Sequence, residues 1–321
     1  MRMLITGGAG FIGSHLCEKY VREGHTVLCL DSFLSGNLNH VRQLLDYRNF
    51  KLVKGDVRDR ELVEKLMRDV DAVFHLAAQV HVDRSYVEPQ LTWDINVMGT
   101  QNILEEARMH DVRKVLLASS SEVYGSALYA PIDENHPLNA PHPYGASKIA
   151  ADRMAYAYTQ TYGMDIAIMR LFNVFGPRQR DLGYGGVISI FTRRVLNGIA
   201  PLIYGNGEQT RDYTYVTDAV RAYDLVLRHE EPLDGPVNFG TGTEVSILTV
   251  AGMIVELCGK QGLVQAAHVE ARIGEVHRLI ADASRAKELL GWEPEVDFRT
   301  GLQSFVDWYA RYGFEERCQL E

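Results

Sequence analysis

Cysteine is scarce in this chain. The four present, Cys17, Cys29, Cys258 and Cys318, form no CxxC pair and no zinc-ligand spacing. That excludes a disulfide-stapled scaffold and a structural zinc site, and they read as reduced, mostly buried thiols. Long apolar runs are missing as well: no stretch reaches the roughly 18 residues a membrane-spanning helix needs. No basic segment followed by an apolar run opens the sequence, so no signal peptide is expected. Positive net charge is also absent. The formal charge is −9 and is spread along the chain rather than gathered in a tail, which argues against nucleic acid or an anionic membrane as the main partner. Low-complexity tracts, internal repeats and long Pro/Ser linkers are lacking too. The expectation is a soluble, cytoplasmic protein. With 321 residues, 46% hydrophobic, the chain is long enough for one large α/β unit or two lobes.

What is present is a rhythm. The runs "RMLITG", "TVLCLD", "FKLVKGD", "AVFHLAA", "KVLLASSS" and "DIAIMRLFNV" are almost continuously apolar, as parallel strands buried on both faces are. Between them stand amphipathic helical patterns such as "SHLCEKYVREG", "DRELVEKLMRD" and "NVMGTQNILEEARMHD". This alternation predicts right-handed βαβ units in a doubly wound parallel sheet. Past Asn173 glycine and proline become dense and the rhythm breaks. The expected division is residues 1–172 for the sheet domain and 173–321 mainly for a smaller, mixed α/β lobe, with the chain returning to the sheet near 210–243 through "PVNFGTG". The last segment reads as two helices around a Gly-Trp turn.

"TGGAGFIG" follows the first strand and opens the first helix, with Gly7, Gly10 and Gly13 at GxxGxxG spacing. Glycines permit the tight turn and close backbone approach, and the helix N-terminus offers N–H groups and a positive dipole end to a pyrophosphate. Alone, such a turn is weak; here it has a strand before it and a helix after it. Gly7, Gly10, Phe11, Ile12 and Gly13 are therefore the candidate dinucleotide cradle of a Rossmann-type sheet. Asp31 closes the second strand, 24 positions past Gly7. A carboxylate there accepts hydrogen bonds from a ribose and repels a 2′-phosphate, which favours NAD over NADP; its bland alternative is a cap or turn residue. Asp56 and Val57 follow the third strand, where an adenine edge can be read, although Asp56 reads equally well as a turn residue. Ala77 and Ala78 end the fourth strand with small residues suited to a cofactor passing close by.

"YGASK" places Tyr144 and Lys148 at i and i+4, adjacent on one helix face. A phenol titrates near 10, too high for a base at neutral pH, and a neighbouring ammonium stabilises the phenolate. YxxxK by itself is common. With the dinucleotide turn and a serine run at a strand end it becomes specific.

Together "TGGAGFIGSH", "HLAAQ", the serine-rich strand end, "PYGASK", "RLFNVFGPRQ" and "QTRDYTYVTDAV" resemble the extended short-chain dehydrogenase/reductase family, and more narrowly its nucleotide-sugar epimerases and dehydratases. The resemblance covers essentially the whole chain. It implies a resident NAD that oxidises C4 of a sugar, with Tyr144 taking the C4 hydroxyl proton and Lys148 lowering its pKa. It matches Ser120 to the family's Ser or Thr that bonds the same oxygen, with the neighbouring serines leaving that assignment open by one position. It matches Asn173 and Arg211 to the grip on the nucleotide diphosphate, with Arg272 as a weaker candidate. The alternative for Arg211 is an ion pair with Asp212 or Asp218. Tyr184 and its flanking glycines read as a substrate loop or a plain surface loop. The implied substrate is a nucleotide-diphosphate sugar, a UDP-sugar favoured.

Within "ASSSEVYG", Glu122 stands two residues before Tyr124. A 4-epimerase of this family has no use for a carboxylate there. A 4,6-dehydratase needs a base for C5 once C4 is a ketone, and the family's dehydratases carry that glutamate, often after an Asp that protonates the leaving hydroxyl. Here Ser121 replaces the Asp, which resembles the GDP-mannose and some UDP-N-acetylhexosamine dehydratases and leaves the proton donor open. UDP-glucuronate decarboxylases share "SEVYG", and "GPRQRDLGYGGVISIF" resembles UDP-hexose 4-epimerases. The alternative for Glu122 is a structural carboxylate. Dehydration is the leading expectation, with Ser120, Ser121, Glu122, Tyr144 and Lys148 as the catalytic set.

The eleven histidines, His75, His81, His136 and His142 among them, show no metal-ligand spacing and read as surface or core residues; no metal is expected. The resemblance matches Asn96 to an asparagine that in this family is usually structural, bracing the active-site backbone. The helical segments around 96–110 and 144–162 carry apolar stripes that in this family pair as a dimer-forming bundle and that from the sequence alone read equally as ordinary core; the resemblance implies a homodimer.

Overall fold

The computed structural model describes residues 1–181, 186–271 and 276–313. The six apolar runs form strands β1 (Arg2–Thr6), β2 (Thr26–Asp31), β3 (Phe50–Lys54), β4 (Ala72–His75), β5 (Lys114–Ala118) and β6 (Ile166–Leu171), and "PVNFGTG" supplies β7 (Val237–Phe239). They form one parallel seven-stranded sheet in spatial order 7-6-5-4-1-2-3, with Leu4 opposite both Leu28 and Val73 in the register of β1 with its two neighbours. The order reverses between β1 and β4, where adjacent loops diverge and leave a crevice above the strand ends.

Alternation along each strand sends neighbouring side chains to opposite faces, and both faces are covered. Met3, Ile5, Val27, Cys29, Phe74, Leu116 and Met169 pack against Leu16 and Tyr20 of α1 (Phe11–Arg22). Tyr223 and Val226 of a later helix, Val216–Arg228, complete that layer. On the other face Leu4, Leu28, Val73, Val115, Leu117 and Ile168 meet α2 (Arg60–Met67), α3 (Gly99–Met109) and α4 (Pro143–Tyr162) through Val63, Leu66, Ile103, Leu104 and Ala155. This two-sided burial is why the strands read as unbroken apolar runs.

A second core gathers Phe175, Ile188, Phe191, Ile203, Tyr213, Ile254, Leu302 and Phe305. It is built from helices Val187–Leu196, Ile247–Leu257 and Phe298–Tyr312, with short strand pairs beside them. The Gly-Trp turn closes the link: Trp292 is fully buried, its Nε1–H donates to the Asp218 carbonyl at 3.1 Å, and the Asp218 carboxylate accepts the N–H groups of Glu295 and Val296. Among the described residues no helix is long and apolar enough to cross a membrane, and no group of three or more His, Cys, Asp or Glu side chains has metal-binding geometry.

Candidate active site

The strand ends and the second core enclose a cleft of about 970 Å³. Its floor is the β1–α1 turn. Gly7 has φ +67°, and a Cβ there would lie 2.9 Å from the Ala77 nitrogen; a Cβ on Gly13 would lie 2.2 Å from the Gly7 carbonyl oxygen. Only glycine leaves the turn that narrow. No side chain caps α1, so its first N–H groups stay available to an anion at the cleft wall that Gly10, Phe11, Ile12 and Gly13 form. Asp31 is buried at the far end of this wall. Its carboxylate accepts the N–H groups of Ala9 at 2.9 Å and Phe33 at 2.8 Å, leaving further lone pairs for a diol. Burial pushes the Asp31 carboxyl up, and the backbone bonds from Phe33, Ala9 and Gly10 oppose that. Val57, Ala77 and Ala78 line the same wall. Asp56 also borders it but is held by Arg58, which reaches it through Nε and a terminal nitrogen at 3.0 and 2.8 Å. A glycine floor, an uncapped helix start and a buried carboxylate are a set of groups that fits a dinucleotide such as NAD.

The serine run closes β5 and divides its labour. Ser119 turns back toward the buried Asp152, Ser120 lies beside the Tyr144 phenol and accepts the Glu122 N–H at 3.2 Å, and Ser121 lines the cleft from the first position of the one-turn helix Ser121–Val123. Tyr144 and Lys148 lie in the first turns of α4. Lys148 Nζ donates to the Ala118 carbonyl at 2.8 Å, tying α4 to the end of β5. Burial pulls this ammonium down to about 8, with the Asp152 charge opposing. Burial pushes the Tyr144 phenol up to about 12, Ser120 opposing and the Glu122 charge adding. Behind them Arg170 Nε bonds Asp152 at 2.8 Å and a terminal nitrogen of Arg170 bonds the Tyr124 hydroxyl at 2.8 Å. Tyr124 is thus a core residue, anchored also to Asn238 at 2.7 Å.

Glu122 faces the same cleft, and His142 Nε2 stands 3.1 Å from its Oε2. Burial works to raise the Glu122 carboxyl, but the His142 hydrogen bond and the charge of Arg211 oppose it, and the group sits below the usual carboxylate range. His142 was not expected here. The only signal in the sequence is its place directly before Pro143: proline favours the first helical position, so its predecessor is the cap. Asn96 does brace the backbone: its side chain accepts the Gln79 N–H at 2.7 Å and donates to the Gln79 carbonyl and to Ser147, both at 2.9 Å.

Asn173 and Arg211 both line the cleft from the second lobe. Asn173 Oδ1 is buried without a hydrogen-bond partner among the described residues. The carboxylate of Asp212 is engaged by the N–H groups of Thr241, Gly242 and Ala281, while Arg211 donates to the Thr210 carbonyl at 2.8 Å and acts on Glu122 by its charge. Tyr184 and Arg272 lie outside the described residues. Sequence reasoning missed Arg178, Arg193 and Arg194, which also border the cleft; Arg178 is tied to Glu18 of α1.

The GDP-mannose 4,6-dehydratase family model matches residues 4–305. A putative UDP-glucose 4-epimerase of Methanocaldococcus jannaschii is 41% identical over 95% of this chain and 97% of its own length. UDP-glucuronic acid decarboxylase 1 of Xenopus tropicalis is 36% identical over 97% of this chain and 72% of its own. The dTDP-glucose 4,6-dehydratase DesIV of Streptomyces venezuelae, solved with NAD bound, superposes with a TM-score of 0.92 at 34% identity, covering 98% of each chain.

Proposed function

The chain belongs to the family of GDP-mannose 4,6-dehydratase-like, NAD-dependent nucleotide-sugar epimerases and dehydratases of the extended short-chain dehydrogenase/reductase class, and from that premise we propose that it is a nucleotide-sugar 4,6-dehydratase. The observation that carries this reading is Glu122: a carboxylate held ionised in the same cleft as Tyr144 and Ser120. Gly7, Gly10, Phe11, Ile12 and Gly13 would hold the pyrophosphate of NAD, Asp31 its adenosine ribose, and Val57, Ala77 and Ala78 its flank. NAD, when bound, supplies the two-electron acceptor and donor that sugar chemistry at C4 requires.

The chain's own residues move the protons. Tyr144 takes the proton of the C4 hydroxyl, with Ser120 beside the phenol and Lys148 providing the positive charge that stabilises the phenolate. Once C4 is a carbonyl the C5–H is acidified, and Glu122 takes that proton. The hydroxyl on C6 then leaves as water with that proton; the hydride taken from C4 would return to C6, and C5 regains a proton that comes from solvent. Arg211 and Asn173 hold the diphosphate of the substrate, a UDP-sugar in this proposal; guanidinium suits phosphate oxygens because two N–H groups can be presented side by side.

A 4-epimerase is the second reading, supported by the 41% identical relative and by the second-lobe sequence. We also infer a homodimer: Met98 and Met109 on one outer helical stretch and Tyr162 on α4 are 45%, 58% and 52% exposed, apolar area that a partner copy would cover. The reaction is tested with UDP-, GDP- and dTDP-hexoses, following product mass and proton NMR. A product lighter by one water supports dehydration. An isomer of unchanged mass favours the epimerase, and loss of carbon dioxide from a UDP-hexuronate favours the decarboxylase.

A further inference from the structure

His142 has both ring nitrogens engaged. Nδ1 accepts the Gly145 N–H at 3.0 Å, capping α4, and Nε2 faces Glu122 Oε2 at 3.1 Å. An acceptor at Nδ1 requires the proton to sit on Nε2, so the helix cap fixes the tautomer and makes Nε2–H the donor to the carboxylate. The ring is also fixed in space. It is nearly parallel to Tyr144, with centroids 6.0 Å apart at 13°, and meets Tyr86 edge-on at 6.4 Å. Gly145 makes room for this: a Cβ there would lie 2.8 Å from the Glu122 carbonyl and 3.1 Å from the His142 ring. Among the described residues, the charged and titratable groups acting on Glu122 are His142 at the N-cap of α4, Tyr144 in its first turn, and Arg211 of the strand Thr210–Asp212.

We propose that His142 is the positioning residue for Glu122: its cap-locked Nε2–H holds Oε2, leaving Oε1 to take the C5 proton and to return it to the departing C6 hydroxyl. This rests on Glu122 being the base. His142 itself carries no proton onward. Nε2 already bears its proton, and a proton on Nδ1 would collide with the Gly145 N–H and break the cap. The proton from C5 therefore stays on Glu122. The C5–H bond breaks with its electron pair forming the enolate; the enolate then collapses, C5=C6 forms, and the C6–O bond breaks as the hydroxyl takes the Glu122 proton and leaves as water. One carboxyl thus serves as base and acid, which accounts for Ser121 standing where an Asp donor would otherwise be.

The test compares the holoenzyme with His142→Asn, His142→Ser and Glu122→Gln. Asn and Ser keep an N-cap acceptor but do not reach the carboxylate. Two readouts are taken: the acidic limb of the kcat/KM profile, and the carboxyl carbon titration of Glu122 in protein labelled with 13C-glutamate, assigned by its loss in E122Q. Both should move to higher pH by about one to two units, the size expected for a lost hydrogen bond to a charged group, and activity well above the limb should fall as well, because the carboxylate is no longer held in place. Activity lost equally at all pH, with the carboxyl titration unmoved and E122Q inactive, would overturn the inference alone and leave His142 a helix cap. An E122Q enzyme with full turnover would overturn the dehydratase reading and this inference together.

Discussion

Lys148 Nζ donates to the main-chain carbonyl of Ala118 at 2.8 Å, so one hydrogen bond ties the helix that presents Tyr144 to the strand that presents Ser120. The lysine is a brace as well as a charge. Removing it, as in Lys148→Met, should lower kcat by about 10²- to 10⁴-fold, the range for loss of acid–base assistance, with substrate binding by calorimetry changed far less.

Because burial pulls the Lys148 ammonium down to about 8, turnover should fall as the pH rises past about 8 and the cation is lost. Asp152 opposes that shift, so Asp152→Asn should move the alkaline limb to lower pH. Stability runs the other way. Between about 8 and the ordinary lysine value the unfolded chain binds more protons at this site than the folded one, so the site's contribution to stability rises with pH across that window. Thermal unfolding followed at a series of pH values checks the sign.

The three serines should separate cleanly. Ser120 lies beside the Tyr144 phenol and Ser119 faces Asp152. Ser120→Ala should cost about 10- to 100-fold in kcat, as expected for a hydrogen bond to a developing charge, and Ser119→Ala less than about threefold. Equal losses would mean that the division of labour is wrong.

Gly13→Ala would set a Cβ 2.2 Å from the Gly7 carbonyl oxygen. Backbone cannot give way there without opening the turn, so the variant should purify without dinucleotide while the wild-type protein releases NAD on denaturation, as read by chromatography of the supernatant.

Arg211→Gln should raise KM for the nucleotide sugar by about 10- to 150-fold, the equivalent of one charge-assisted hydrogen bond, and leave NAD content unchanged. A loss of NAD instead would move Arg211 to the cofactor end of the cleft.

Much of this was readable in the chain. Apart from the edge strand Phe50–Lys54, which carries exposed lysines, the strands of the sheet are buried on both faces, so their apolar runs are continuous and need no tertiary knowledge to find; the glycine turn and YGASK announce themselves by spacing. Glu122 stood out because a carboxylate beside a serine run in a dry site needs a reason. His142 did not. Its role depends on a contact across 20 positions with Glu122 and on a tautomer set by the Gly145 N–H, and neither has a periodic trace. The second lobe was equally opaque: the pairing of Val174–Phe175 with Thr214–Tyr215 involves two-residue strands too short to show alternation. Arg178, in a loop, and Arg193, on the helix Val187–Leu196, were read past because an arginine looks solvated until the cleft it borders is known.

Glu122 is proposed here as the base that removes a proton from C5 of the sugar. The most direct measurement is turnover of the accepted nucleotide sugar in deuterated water, with proton NMR of the product at C5, wild-type enzyme beside E122Q. The account predicts a product lighter by one water with deuterium at C5, and no product from E122Q. An isomer without deuterium at C5, formed equally well by E122Q, would contradict it and leave Glu122 a structural partner of His142.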